Sequence, residues 1–173
     1  MKRPRFTLAD AQYAFDTWGA NCGPGAIAAI AMLTLDEVRP YMGDFESKRY
    51  TNPTLMFETL DRLHAAGVCK WHGAERHWPI YGLVRIQWEG PWTRPGVPMR
   101  ARYRHTHWVG AAIVKREIGV FDINCMNNGS GWSTLQNWSS IVVPWLINEC
   151  VPGGDGNWHI THAIEVDLPG VAA

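Results

Sequence analysis

The chain has no apolar run near the roughly 20 residues that a helix needs to span a bilayer, which excludes a helical membrane anchor within it. It carries no net charge either: 16 Lys and Arg balance 16 Asp and Glu over 173 residues. Bulk electrostatics therefore give no reason to expect a nucleic-acid partner. The start, MKRPRFTLADAQ, is basic at Lys2, Arg3 and Arg5, but the apolar stretch of a secretory signal does not follow. A reducing, cytoplasmic location is the expectation, with no membrane association. Cysteine is sparse: Cys22, Cys69, Cys125 and Cys150 have no paired spacing and read as free thiols, not as a disulfide framework. Repeats, linkers and low-complexity segments are absent, so residues 1–173 read as a single domain, long enough for a real core.

Tryptophan, in contrast, is abundant at 10 residues. Trp18, Trp71, Trp78 and Trp108 flank segments with chemical potential, and tryptophan serves cores and gripping surfaces alike. The most informative segment is WGANCGPGAIAAI. Trp18-Gly19-Ala20-Asn21 has no helical period, whereas Ala26, Ile27, Ile30, Ala31 and Leu33 form an apolar helix that begins at Cys22. A thiol at a helix N-terminus meets unpaired N–H groups and the positive end of the dipole, and both favour thiolate. A buried structural cysteine is the alternative, since free Cys packs as a small hydrophobe.

Downstream, Thr106-His107-Trp108-Val109-Gly110 opens a strand-like run and Val120-Phe121-Asp122-Ile123-Asn124 follows it. Cysteine, then histidine, then Asp or Asn is a chain order that can supply a nucleophile, a base and an orienting group. His107 is the expected base, with His105 as competitor on the same predicted strand face. Asp122 is the first candidate to orient the ring and Asn124 the second, again two residues apart on one predicted face.

These three blocks, Asn21-Cys22-Gly23-Pro24 with its small-residue helix, His107-Trp108-Val109 and Phe121-Asp122-Ile123-Asn124, resemble the papain-like cysteine peptidase superfamily. The nearest likeness is the branch of bacteriocin-leader peptidases attached to ABC transporters and their stand-alone relatives. The resemblance runs from about Asp16 to Asn124. It implies a nucleophile helix packed on a mainly antiparallel sheet, a Cys22–His107–Asp122 triad and a peptide or isopeptide bond as substrate. One departure stands out: the family's oxyanion-hole Gln, about six residues before the nucleophile, is replaced by Asp16. Asn21 and Gln12 are the remaining side-chain candidates for that role, and Trp18, Gly19 and Trp108 are candidates for the substrate cleft.

The order of elements supports α+β. Predicted helices cover Leu8–Phe15, Cys22–Leu33, Glu37–Tyr41 and the stretch from Asn52-Pro53 to Gly67, where Met56, Leu60 and Leu63 mark one face. Alternation from Ile80 to Trp88 predicts a strand, and Gly90 to Met99 is a Pro/Gly loop. Arg100, Arg102 and Arg104 alternate with Ala101 and Tyr103, placing three guanidinium groups on one predicted strand face. Without a Gly-rich phosphate loop beside them, they suit a solvated face or an acidic peptide better than a nucleotide. His107–Lys115 and Gly119–Asn124 form a predicted hairpin around Arg116-Glu117-Ile118. Leu135 to Leu146 has helical spacing broken at Pro144, and Trp158 to Val166 is the last strand. Helices first and strands later argue for an antiparallel sheet.

Cys69, His72, Glu75 and His77 make only half of a zinc pattern, so no metal or other cofactor is expected. The expected function is a cysteine hydrolase acting on a protein or peptide through an acyl-thioester, in a bacterial or bacteriophage setting. Two rivals share the residues: an acyltransferase of transglutaminase type, and a binding module with an idle thiol.

Overall fold

The first 65 residues carry their own helix punctuation. Thr7 accepts from the Asp10 N–H while the Asp10 carboxylate takes the Thr7 N–H, and Thr34 and Glu37 repeat the exchange. Asn52 caps a helix whose first residue is Pro53. The computed structural model describes residues 2–73 and 76–169. Its elements are α1 (Leu8–Trp18), α2 (Cys22–Ala31), α3 (Leu35–Val38), α4 (Phe45–Lys48), α5 (Pro53–Ala65), β1 (Lys70–His72), β2 (Tyr81–Trp88), α6 (Met99–Arg102), β3 (Thr106–Val114), β4 (Glu117–Phe121), β5 (Trp132–Thr134), α7 (Leu135–Asn137), α8 (Val143–Cys150) and β6 (Trp158–Asp167). Among the described residues no helix is long and apolar enough to cross a membrane.

The strands form one sheet in the order β1-β6-β2-β3-β4-β5, antiparallel at every pairing. The fold is thus α+β, helices first, as the element order suggests. Alternate side chains feed two apolar layers. Leu83, Trp108, Phe121 and Ile164 pack with α1, α2 and α5, while Val84, Val109, Val120 and Ala163 pack with Trp138, Val143 and Leu146. The central strands are buried on both faces, so β2 is buried along almost its whole length, Arg85 and Gln87 included.

Three expectations fail for local reasons. Arg100, Arg102 and Arg104 do not share a strand: Met99–Arg102 is a short helix following Pro98, and Arg102 Nε bonds the Val97 carbonyl at 2.9 Å. The hairpin turns at Lys115-Arg116, both with positive φ, so Glu117 and Ile118 already belong to β4. Pro144 does not break a helix but sits in the first turn of α8, after a π-helical turn at Trp138–Val142. The short edge strands β1 and β5 carry too few residues for a period to register.

Helix α2 lies unusually close to its neighbours. A Cβ on Gly23 would stand 2.3 Å from Thr51 Oγ1, and one on Gly25 2.5 Å from Ile123 Cδ1. Thr51 is β-branched and its carbonyl is held by Trp108 Nε1 at 2.9 Å, so it cannot easily yield. Gly23→Ala is therefore expected to cost about 1–3 kcal/mol by overpacking and to displace Cys22. A lowered urea midpoint together with slower thiol alkylation would show it; an unchanged midpoint would mean that Thr51 moves freely.

Candidate active site

Cys22 is the first residue of α2, partly exposed and lodged against the helical core layer. Asn21 precedes it without capping the helix, because its Nδ2 donates to the Ala11 carbonyl at 2.9 Å. Pro24 has no N–H, and the Gly25 N–H is spent on the Asn21 carbonyl at 2.8 Å. The N–H groups of Cys22 and Gly23 are then the first-turn donors without an acceptor inside the helix.

His107 reaches this point through a gap in the sheet. β4 pairs with β3 only as far as Phe121 opposite Gly110, so residues 106–109 of β3 have no strand on that side. The start of α2 and the turn after β4 fill the gap. His107 stacks on Trp88 with ring centroids 6.4 Å apart, and its Nε2 stands 3.0 Å from Asp122 Oδ1. The contact joins a buried imidazole to a buried carboxylate, so charge adds to the donation from Nε2. With Nε2 turned to Asp122, Nδ1 is the ring nitrogen left for the thiol.

Asp122 is wholly buried, and its carboxylate accepts from several donors. Oδ1 accepts from the Asn124 backbone N–H at 3.0 Å and its Nδ2 at 3.1 Å; Oδ2 accepts from Trp138 Nε1 at 2.9 Å. The carboxylate also caps the 3-10 turn Ile123–Asn128. Trp88 and Trp138 stack at 6.2 Å and Trp158 meets Trp138 edge-on at 5.3 Å, walling the ion pair off from water.

The charges support one another. Burial of Cys22 pushes its thiol up, but the His107 imidazole, by contact and by charge, and the Trp108 backbone N–H outweigh burial and the opposing Asp122 charge, leaving it below the ordinary thiol range. Burial pulls the His107 imidazole down, yet Asp122 and the Cys22 thiolate hold it well above the usual histidine range. Burial raises Asp122, and His107, Trp138 and the Asn124 N–H lower it further than burial lifts it. The other thiols move the opposite way: burial takes Cys69 to about 11 and Cys125 to about 12, and raises Cys150. Among four cysteines, only Cys22 is built to ionise.

Cys22, His107 and Asp122 are thus brought together, and several other expected site residues are not. Gln12 is exposed on α1, where its Nε2 is spent on Asp16 at 2.9 Å. Asn21 is held to Ala11 as described. His105 precedes β3 instead of sharing its face with His107; its ring lies 4.5 Å from that of Trp92. Asn124 does not orient the imidazole but clamps Asp122, because the chain leaves β4 at Phe121 and turns. Trp18 is core, edge-on to Phe45, and lines a cavity shared with Arg5, Tyr13 and Asp36 that Cys22 does not line; Trp108 is core, tied to Thr51. Gly19 ends α1 with φ 69° and faces the Arg49 side chain. Cys69 is buried, and His72 bonds Asp167 at 2.7 Å; Glu75 lies outside the described residues.

Trp88, Trp138 and Arg85 escaped the sequence reading. A buried indole needs an acceptor, but nothing in the spacing of Trp138 says that the acceptor is Asp122, 16 residues upstream. Arg85 is the one charged residue of the predicted strand Ile80–Trp88, and that charge is the signal that could have singled it out. Compared with protein-family models, characterised proteins and solved structures, the chain finds no match.

Proposed function

We propose that the protein is a papain-like cysteine hydrolase that cleaves a peptide or isopeptide bond. The observation that carries this reading is the buried relay from Cys22 through His107 to Asp122, with Cys22 alone among the thiols shifted toward thiolate. The Cys22 thiolate attacks the carbonyl carbon, and the oxyanion gathers against the Cys22 N–H at the start of α2. His107, charged in the resting pair, gives its Nδ1 proton to the departing amine nitrogen as the C–N bond breaks. The neutral imidazole then takes a proton from water, whose hydroxide attacks the thioester carbonyl. The acid leaves, Cys22 returns as thiolate and His107 as imidazolium. Asp122, held by three donors besides His107, fixes the ring and does not itself change protonation.

Iodoacetamide at neutral pH tests the thiol. Cys22 should be alkylated about tenfold or more faster than the exposed Cys150, because its thiol is held below the ordinary range and that of Cys150 above it. p-Nitrophenyl acetate tests turnover: an acetyl group should appear on Cys22 and then leave. Labelling of Cys150 first would identify Cys22 as structural. A persistent acetyl group that only an added amine removes would make the protein an acyltransferase, and no acetylation at all would favour a binding module.

A further inference from the structure

Arg85 stands on β2 directly opposite Trp108 of β3 on one side and His162 of β6 on the other. Only 6% of it is exposed. Its guanidinium donates once, from Nη1 to Thr161 Oγ1 at 3.2 Å, and Thr161 returns its hydroxyl proton to the Arg85 carbonyl at 3.1 Å. The Tyr103 ring, half-exposed at the end of α6, covers the guanidinium with its centroid 5.6 Å away. Nε has no partner, and among the described residues no carboxylate comes within ion-pair distance.

A guanidinium cannot shed its charge, and buried arginines are almost always matched by an anion. His162 does not help: burial and then Arg85 itself and Arg76 hold it below the usual histidine range, so it stays neutral. The groups facing Arg85 are thus a hydroxyl, a phenol, an indole and a neutral imidazole. Burial works against its charge, and the groups within the chain that favour it are the phenol of Tyr103 and then Cys22. Once Cys22 carries an acyl group its negative charge is gone, while the cation remains beside it. The neighbouring strand residue, Trp108, touches the Cys22 sulfur through its N–H, so the cation lies one residue pairing away from the nucleophile.

We propose that Arg85 is a specificity-determining residue that binds a carboxylate of the peptide substrate next to Cys22, with Nε and the unspent guanidinium N–H groups as donors. This rests on the hydrolase reading above. The carboxylate has two sources, a free chain terminus or an Asp or Glu side chain. Both present the same planar pair of oxygens to the guanidinium fork.

Three bromoacetyl dipeptides test it by their rates of Cys22 alkylation: alanyl-alanine with a free terminal carboxylate, alanyl-alanine amide, and glutamyl-alanine amide. At least one acid should outpace the neutral amide about tenfold or more, as a charged hydrogen bond implies. The faster acid identifies the source. Because each acid is compared with the neutral probe on the same protein, any change in thiol reactivity cancels. Arg85→Gln should bring that ratio near one and Arg85→Lys should keep part of it. Arg104→Gln, which removes an exposed charge nearby, should keep all of it. A ratio near one in the unmodified protein, a ratio that survives Arg85→Gln, or an equal loss in Arg104→Gln would overturn the proposal. If Cys22 reacts with none of the probes, the hydrolase reading fails, and the acetyl versions of the same dipeptides then test Arg85 alone. Titrated into 15N-labelled protein, the acids but not the amide should shift the Arg85 Nε–H resonance; no shift would overturn the proposal.

Discussion

Cys22→Ser is expected to preserve the fold and to lower turnover of a peptide substrate by at least about four orders of magnitude, as loss of a nucleophile does in triad hydrolases. Serine fits where the thiol fits, but its hydroxyl does not ionise against His107, so the resting ion pair is lost with the nucleophile. The pH profile adds a second, independent signature. Thiolate and imidazolium titrate as a pair. Activity should rise on the acid side at a pH below the ordinary thiol range and fall on the alkaline side above the ordinary histidine range. In His107→Ala the acid limb should move upward, past the ordinary thiol value, because the burial of Cys22 remains while the imidazole that offset it is gone. Each unit of that movement removes about tenfold of the thiolate at a fixed lower pH. Iodoacetamide rates measured from pH 5 to 10 give the limbs without needing the natural substrate. A Cys22→Ser protein with unchanged biological effect would retire the enzyme reading and leave the binding module.

Much of the site is written in the sequence because its parts announce themselves locally. A cysteine between a non-periodic turn and an apolar helix reads as a helix start, and the structure begins α2 at that residue. The strand-like run that opens at Thr106-His107-Trp108-Val109-Gly110 is β3, Thr106–Val114. What could not be read is where a strand stops. Phe121, Asp122 and Ile123 continue the apolar pattern smoothly, yet β4 ends at Phe121 because Asp122 turns its carboxylate onto the Asn124 N–H and caps a 3-10 turn. That turn opens the gap beside β3 through which Cys22 meets His107, and it converts Asn124 from a rival of Asp122 into its clamp. Long-range pairings are equally silent: Trp138 reaches Asp122, and Arg85 faces Thr161, only after the sheet has closed. The tryptophans near the motif in sequence, Trp18 and Trp108, proved to be core, whereas those that wall the site, Trp88 and Trp138, come from elsewhere.

The donors around Asp122 yield the second large effect. Asp122→Ala should destabilise the protein by about 3–5 kcal/mol, the usual result of leaving one member of a buried ion pair alone. It should also slow catalysis by up to about 10⁴, as when the orienting carboxylate of a triad is lost. Asp122→Asn is expected to be nearly as harmful. Both ends of the side chain meet N–H groups: His107 and Asn124 at one, Trp138 at the other. An amide placed either way therefore sets its own NH2 against a donor. Removing the Trp138 donor relieves that conflict, so Asp122→Asn/Trp138→Phe should be more stable than the sum of its single changes by about 1–3 kcal/mol. The sign of the pH dependence follows from the same contacts. Asp122 is depressed in the folded state, so its contribution is present above the unfolded carboxylate range, about 3.9, and is lost as pH falls through the folded value. His107 is raised, so its contribution is full below about 6.5 and fades as pH rises through its folded value. Urea unfolding from pH 3 to 9 should thus show a stability maximum between those limbs in the unmodified protein and a flattened profile in Asp122→Ala. Strict additivity in the double variant, or an Asp122→Asn protein as stable as the original, would mean that the carboxylate is not held by Trp138 and that its burial has another cause.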